Sequence, residues 1–192
     1  MVRAHADWLN RLNVYPVPDG DTGTNMARTL DAVIAEMDGT AADDLAATCD
    51  AIAHGSLMGA RGNSGVILSQ IMRGLASTLK TQTPASGAKF AEAMQVAAAD
   101  AYQAVLQPIE GTILTVVRLS ADAAKESSDA GGSLAEVIQA AHEGGQIALA
   151  NTPEQLPVLK EAGVVDAGGA GFLLLLDSAL HIVAGVPLPE VE

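Results

Sequence analysis

Apolar residues recur at helical spacing along most of the chain. Between Asn63 and Lys80, for example, Val66, Ile67, Ile71 and Leu75 keep a helical period. The same rhythm predicts eight helices. The first ends near Asn13, ahead of the rigid Val14-Tyr15-Pro16-Val17-Pro18. The second spans Thr24 to Met37 and is closed by Gly39. The third runs from Asp43 to Met58, with Thr40 and Asp43 placed to begin a capping box. The fourth runs from Asn63 to Lys80. The fifth covers Ala88 to Gln107 and is stopped by Pro108, because the residue before a proline avoids the α region. The sixth covers Gly111 to Ser128, ending before Gly131-Gly132. Ser133-x-x-Glu136 is a capping box for the seventh, which continues towards Ala150. Thr152-Pro153-x-Gln155 begins a short extra turn. The eighth runs from Gly168 to Ala184, and Gly185, Pro187 and Pro189 read as an exit. No repeat of fixed period interrupts this order, so the expected architecture is an all-α up-and-down bundle or barrel.

Composition narrows the class. Only 3% of the 192 residues are aromatic, and Gly and Pro fall mostly between the periodic stretches, as helix punctuation does. The stretch Ala167 to Leu176 is the longest apolar run, bracketed by Asp166 and Asp177. A bilayer asks for about 20 apolar residues, so this run reads as a buried helix rather than a membrane-embedded one. The start of the chain, with Arg3, His5 and Asp7, has no apolar block of a signal peptide. A single cysteine, Cys49, excludes an internal disulfide and reads as a small core residue. These features point to a cytoplasmic protein.

Charge excludes more. The 23 acidic and 10 basic residues leave a net charge of −13. Nucleic acid is not an expected partner, since a phosphate backbone needs a basic face.

Pro18-Asp19-Gly20-Asp21-Thr22-Gly23-Thr24-Asn25 is the most informative segment. Two carboxylates one residue apart repel, and a shared divalent cation would relieve them. Hard oxygen donors suit Mg²⁺, which takes one or two carboxylates and completes its shell with water and phosphate. Thr24 or Asn25 is placed to cap the following helix, whose first amides form an anion site. Taken alone, Asp-Gly-Asp reads better as a solvated turn than as a metal site. Gly59-Ala60-Arg61-Gly62-Asn63-Ser64-Gly65 precedes the fourth helix. Its glycines expose amides, Asn63 or Ser64 can donate to phosphate, and Arg61 is a scarce cation; a plain helix connection reads as well. Glu110-Gly111-Thr112-Ile113-Leu114 and Val165-Asp166-Ala167-Gly168-Gly169 each stand at a helix start and read singly as caps. No G-x-x-x-x-G-K-[ST] is present, which excludes a P-loop. The four histidines, His5, His54, His142 and His181, share no spacing that suggests a site. An acidic protein with few cations can still hold a nucleoside triphosphate when metal ions carry the positive charge.

Asn13-Val14-Tyr15-Pro16-Val17-Pro18-Asp19-Gly20-Asp21-Thr22-Gly23-Thr24-Asn25-Met26 closely resembles the signature of fatty acid kinase A subunits, whose first domain is similar to the dihydroxyacetone kinase L subunit. Ala60 to Gly65, Pro108-x-Glu110-Gly111-Thr112-Ile113-Leu114 and Val165 to Gly169 follow in the same order. The resemblance implies an antiparallel barrel of eight amphipathic helices with ATP or ADP held by loops at one end. It implies that Asp19 and Asp21 ligate two Mg²⁺ ions, with Asn13 nearest to the position of a further Asp in dihydroxyacetone kinases. Thr22, Gly23, Thr24, Asn25, Asn63 and Ser64, with Arg61 and Gly62, would hold phosphates. Thr112 and Ile113 would flank the adenine, and Asp166 and Gly168 would close the pocket. Thr22 stands where dihydroxyacetone kinases usually have His, which favours the fatty acid kinase branch.

The activity so implied is transfer of the ATP γ-phosphoryl group to a fatty acid carboxylate presented by a DegV-like fatty acid-binding partner, giving an acyl phosphate. It allows a homodimer. A dihydroxyacetone kinase L-type subunit and a nucleotide-binding regulatory module without turnover are the alternatives. Residues 1–186 are expected to form the kinase domain, and 187–192 the start of a linker to further domains.

Overall fold

A computed structural model describes residues 1–41 and 43–191. Ten helices and no strand occur among them, so the protein is all-α. The eight longer helices are α1 (Ala6–Leu12), α2 (Thr22–Met37), α3 (Leu45–Gly59), α4 (Gly62–Leu79), α5 (Gly87–Gln103), α6 (Ile113–Asp129), α7 (Leu134–Ala150) and α10 (Ala167–Ala184). Between the last two lie the short α8 (Thr152–Gln155) and α9 (Pro157–Ala162). The former is the expected extra turn, and the latter has no counterpart in the sequence reading.

Local caps set several starts. Ser133 and Glu136 form the predicted reciprocal capping box of α7, with Ser133 N donating to Glu136 at 2.8 Å. Ser86 Oγ accepts from Lys89 N at 3.1 Å and starts α5. Each such cap contributes about 1 kcal/mol. The capping box expected from Thr40 and Asp43 does not form. Asp44 caps α3 instead, accepting from Ala47 N at 2.9 Å, while Thr40 Oγ1 donates back to Met37 O. The fifth helix also stops four residues earlier than expected, at Gln103.

Packing neighbours follow chain order from α1 to α7, and α10 then packs on α7, α6, α1 and α2. Small residues let these helices approach closely. A Cβ on Gly74 would lie 2.6 Å from Ala97 Cα, and one on Gly23 would lie 2.2 Å from the Ala6 carbonyl. The core has two parts. Phe90, Met94, Val116, Val117, Phe172 and Leu176 belong to one, and Leu9, Met26, Leu68 and Leu174 to the other. Helix α10 serves both, which is why it is apolar almost all round. It is long and apolar enough to cross a membrane by length and composition, but more than half of it is buried in the fold. Its Asp177 pairs with His142 of α7 at 2.8 Å, both side chains largely enclosed. Cys49 is a buried core residue.

Residues at the starts of α2, α4, α6 and α10 line a single cleft.

Candidate functional site

That cleft has a volume of about 760 Å³, within the range of small-molecule sites. Three walls come from helix starts: Asp19, Asp21, Thr22 and Asn25 at α2; Gly62, Asn63 and Ser64 at α4; and Thr112 and Ile113 at α6 facing Asp166 and Gly168 at α10. The fourth is the α5–α6 loop with Val105, Leu106, Gln107 and Ile109.

The first wall is held by asparagines of the preceding segment. Asn13 Oδ1 accepts from Thr22 N at 3.0 Å, from Thr22 Oγ1 at 2.6 Å and from Asp21 N at 3.3 Å. Its amide donates to Val17 O at 2.8 Å, which fixes the Pro16–Pro18 strap. Asn10 Oδ1 accepts from Thr24 N at 3.1 Å while its amide donates to Thr24 Oγ1 at 3.0 Å. The first turn of α2 is thus capped from α1 and its C-cap, and not by Thr24 or Asn25 as expected. Asn13, expected as a third metal ligand, has its side-chain oxygen engaged by three donors and acts here as a strut for the start of α2. Thr24 does not line the cleft, and Gly23 serves close packing against Ala6 and Leu9.

The second wall is tied to the first through buried Thr29. Its Oγ1 donates to Asn25 O at 2.8 Å and accepts from Arg61 N at 3.3 Å. Arg61 is not among the residues that line the cleft, and its guanidinium donates to Ala60 O at the end of α3 at 2.9 Å. Gly62 has φ 60, and a Cβ there would lie 2.4 Å from Asn25 Nδ2. Among the described residues no side chain caps α4. Its first amides therefore stand free beside Asn63 and Ser64, the arrangement that binds anions.

The third wall is closed to anions by one of its own. Asp166 is buried and caps α10, with Oδ2 accepting from Gly169 N at 2.7 Å; the backbone amides of Ile113 and Gly168 also reach it. Burial pushes its carboxyl up to about 6, and those amides only partly oppose it. A raised carboxyl pKa means that the folded state holds its proton more tightly than the unfolded state. This contribution is then present at low pH and fades as pH rises from about 4 through about 6. Between pH 7 and pH 5 the wild-type protein should gain about 1 kcal/mol of stability relative to Asp166→Asn. Denaturant titrations of both proteins at the two pH values test this, and parallel profiles would contradict it. Thr112 caps α6 with its own hydroxyl, which donates to Ile109 O at 2.8 Å.

The fourth wall was not foreseen, because Ala104 to Gln107 continue a helical pattern. Glu110 anchors it. Tyr102 Oη and Thr115 Oγ1 donate to its two oxygens at 2.9 and 2.7 Å, and Arg118 at 2.8 Å. Burial works to raise the Glu110 pKa, but the bonds from Thr115, Tyr102 and Arg118 outweigh it and lower it from its ordinary value.

No lysine or arginine is among the residues that line the cleft. Asp19 and Asp21 enter no ion pair among the described residues. There too, no cluster of three or more His, Cys, Asp or Glu side chains could cage a metal. Two free carboxylates in an open cleft fit a cation such as Mg²⁺, which completes its shell from water and a bound phosphate.

Comparison with known proteins bears on this geometry. The DAK2 domain family matches residues 16–181. The chain is 43% identical over 181 residues to an uncharacterized protein of Staphylococcus saprophyticus, covering 94% of this chain and 33% of that protein. It is 42% identical over 186 residues to protein YloV of Bacillus subtilis, covering 97% and 34%. An uncharacterized protein of Staphylococcus epidermidis is 44% identical over 185 residues. The chain spans about a third of the length of these curated relatives.

Proposed function

The chain belongs to the DAK2 domain family, which is associated with kinase function, and from that premise we propose that its cleft holds Mg²⁺·ATP for phosphoryl transfer to a fatty acid carboxylate. The observation that carries this reading is the convergence of four separate sequence motifs on one cleft. Their chemistry is divided: bare carboxylates at α2, free amides at α4 and apolar walls beyond.

Phosphates would lie at the start of α4, against Gly62, Asn63 and Ser64. Among the described residues no side chain caps the first amides of α4, whereas α2, α6 and α10 are each capped, by Asn13 and Asn10, by Thr112 and by Asp166. Asp19 and Asp21 would hold Mg²⁺, which supplies the positive charge that the lining lacks. Asn25, pressed against Gly62, would orient the phosphates from the side. The base would extend towards Thr112 and Ile113. An oxygen of the acceptor carboxylate attacks the γ-phosphorus, the bond to the bridging oxygen breaks, and ADP leaves. The acceptor is already ionised, so no general base is needed, and positioning with charge neutralisation is the main requirement.

The chain's own core uses its apolar helix faces, among them Ile71, Leu173 and Leu176. A DegV-like fatty acid-binding protein is therefore the proposed source of the acyl chain, in the cytoplasm. We read the ring of helix neighbours, closed by α10 on α1, as the antiparallel eight-helix barrel of the fatty acid kinase A branch. The chain would be one domain of a longer kinase that allows a homodimer. Transfer of labelled phosphate from ATP, with lipid-loaded partner and with dihydroxyacetone-loaded partner, tests the acceptor. Acyl phosphate is expected from the first. Dihydroxyacetone phosphate from the second would move the chain to the other branch.

A further inference from the structure

The α5–α6 loop has a peculiar construction for a cleft wall. Leu106 at its tip is fully exposed, at 103% of its reference area, and Ile109 is also exposed. Both nevertheless line the cleft. Few backbone bonds hold the loop: after α5 ends, Ala104 N reaches Asp100 O at 3.1 Å and Val105 N reaches Tyr102 O at 3.3 Å, and Ile109 O then accepts from Thr112 Oγ1 at 2.8 Å. What fixes its far end is a side-chain knot. Glu110 takes Tyr102 of α5 on one oxygen and Thr115 and Arg118 of α6 on the other. Arg118 Nε closes the ring by donating to Tyr102 Oη at 3.1 Å, and Gly111 N donates to Thr115 Oγ1 at 2.9 Å.

This knot spans the two helices that the loop connects. It is more than such a short connection needs for chain continuity, and it lies about half exposed, where ion pairs contribute little to global stability. Its geometric effect is to hold an apolar tip in the lining of the cleft that Thr112 and Ile113 also line.

We propose that Glu110 is a positioning residue for the nucleotide: through Tyr102, Thr115 and Arg118 it sets the loop so that Leu106 closes on the face of the base. This rests on the cleft being a nucleotide site, and it assigns the base to the loop wall and the phosphates to the opposite end. A flat aromatic ring between Leu106 and Ile113 would cover apolar surface on both sides, which is the driving force available to an otherwise wasteful exposed leucine.

The division of labour gives the test. Mg²⁺·ADP carries both the base and the phosphates, whereas Mg²⁺·pyrophosphate carries only the phosphates. Calorimetric affinities for both probes are compared in wild type, Leu106→Ala, Glu110→Ala, Glu110→Gln and Tyr102→Phe, each with its thermal midpoint. Leu106→Ala and Glu110→Ala are expected to weaken Mg²⁺·ADP roughly tenfold and to leave Mg²⁺·pyrophosphate within about twofold. Tyr102→Phe removes one strut and should fall between them and wild type, and Glu110→Gln, which keeps an acceptor, should recover part of the loss. Equal loss for both probes in Glu110→Ala would make the knot a support of the fold and overturn the proposal. Unchanged ADP affinity in Leu106→Ala overturns it as well, and that variant does not depend on Glu110→Ala folding. Failure of the wild-type protein to bind either probe would instead sink the nucleotide reading itself.

Discussion

Asp19→Asn and Asp21→Asn should each weaken Mg²⁺·ATP binding by roughly a hundredfold, since losing a metal ligand costs at least as much as losing one of its outer-shell partners. The direction of this effect is diagnostic. The protein carries a net charge of −13, and the residues lining the cleft include no lysine or arginine. If ATP bound as a bare anion, removing a carboxylate from its site would relieve repulsion and strengthen binding. If Mg²⁺ bridges carboxylate and phosphate, the same substitution removes a ligand and weakens it. The two readings therefore predict opposite signs, not different sizes. Stability should hardly move, because Asp19 is exposed, Asp21 is half-buried, and neither carboxylate enters an ion pair among the described residues. Affinity equal to or better than wild type in both variants would refute metal bridging.

Gly62→Val should damage both folding and binding. The residue has φ 60, where a β-branched side chain is strained by about 2 kcal/mol. Its Cβ would also lie 2.4 Å from Asn25 Nδ2, so Asn25 or the start of α4 must move. Both line the cleft, and ADP affinity should fall at least roughly tenfold as the free amides are displaced. Gly131→Val is the control. Gly131 has φ 85, but a Cβ there meets nothing within 4 Å, and it lies at the end of α6 away from the cleft. It should share the loss of stability and leave binding intact. Equal ADP affinities in the two variants would show that the Gly62 loop is only a connection between α3 and α4.

What could be read in advance divides by the range of the interactions involved. The Ser133–Glu136 capping box closes within four residues, so its spacing alone identified it. The helical period carried the all-α assignment, because burying one face of each helix is what the pattern encodes. Asp19, Asp21, Asn63, Ser64, Thr112, Ile113, Asp166 and Gly168 all reach one cleft, as four ordered motifs suggested. Long-range contacts were not legible. Asn13 looked like a ligand in place of a carboxylate, and only the fold-back of the chain reveals three donors on its oxygen. Arg61 reads as a phosphate contact because it is a cation in a glycine-rich loop; its bond to the carbonyl of Ala60 at the end of α3 has no signature in that spacing. The end of α5 was placed at Pro108 on a local rule. The loop that leaves the helix at Gln103 is instead tied by Glu110 to two helices, and a knot between residues 102 and 118 has no signature in hydropathy.

The most direct test is one titration of ATP into the purified protein, run with excess Mg²⁺ and again with the metal removed by chelation. Metal bridging predicts saturable heat with Mg²⁺ and none, or at least a hundredfold weaker binding, without it. Equal affinity in the two titrations would contradict the account at its centre.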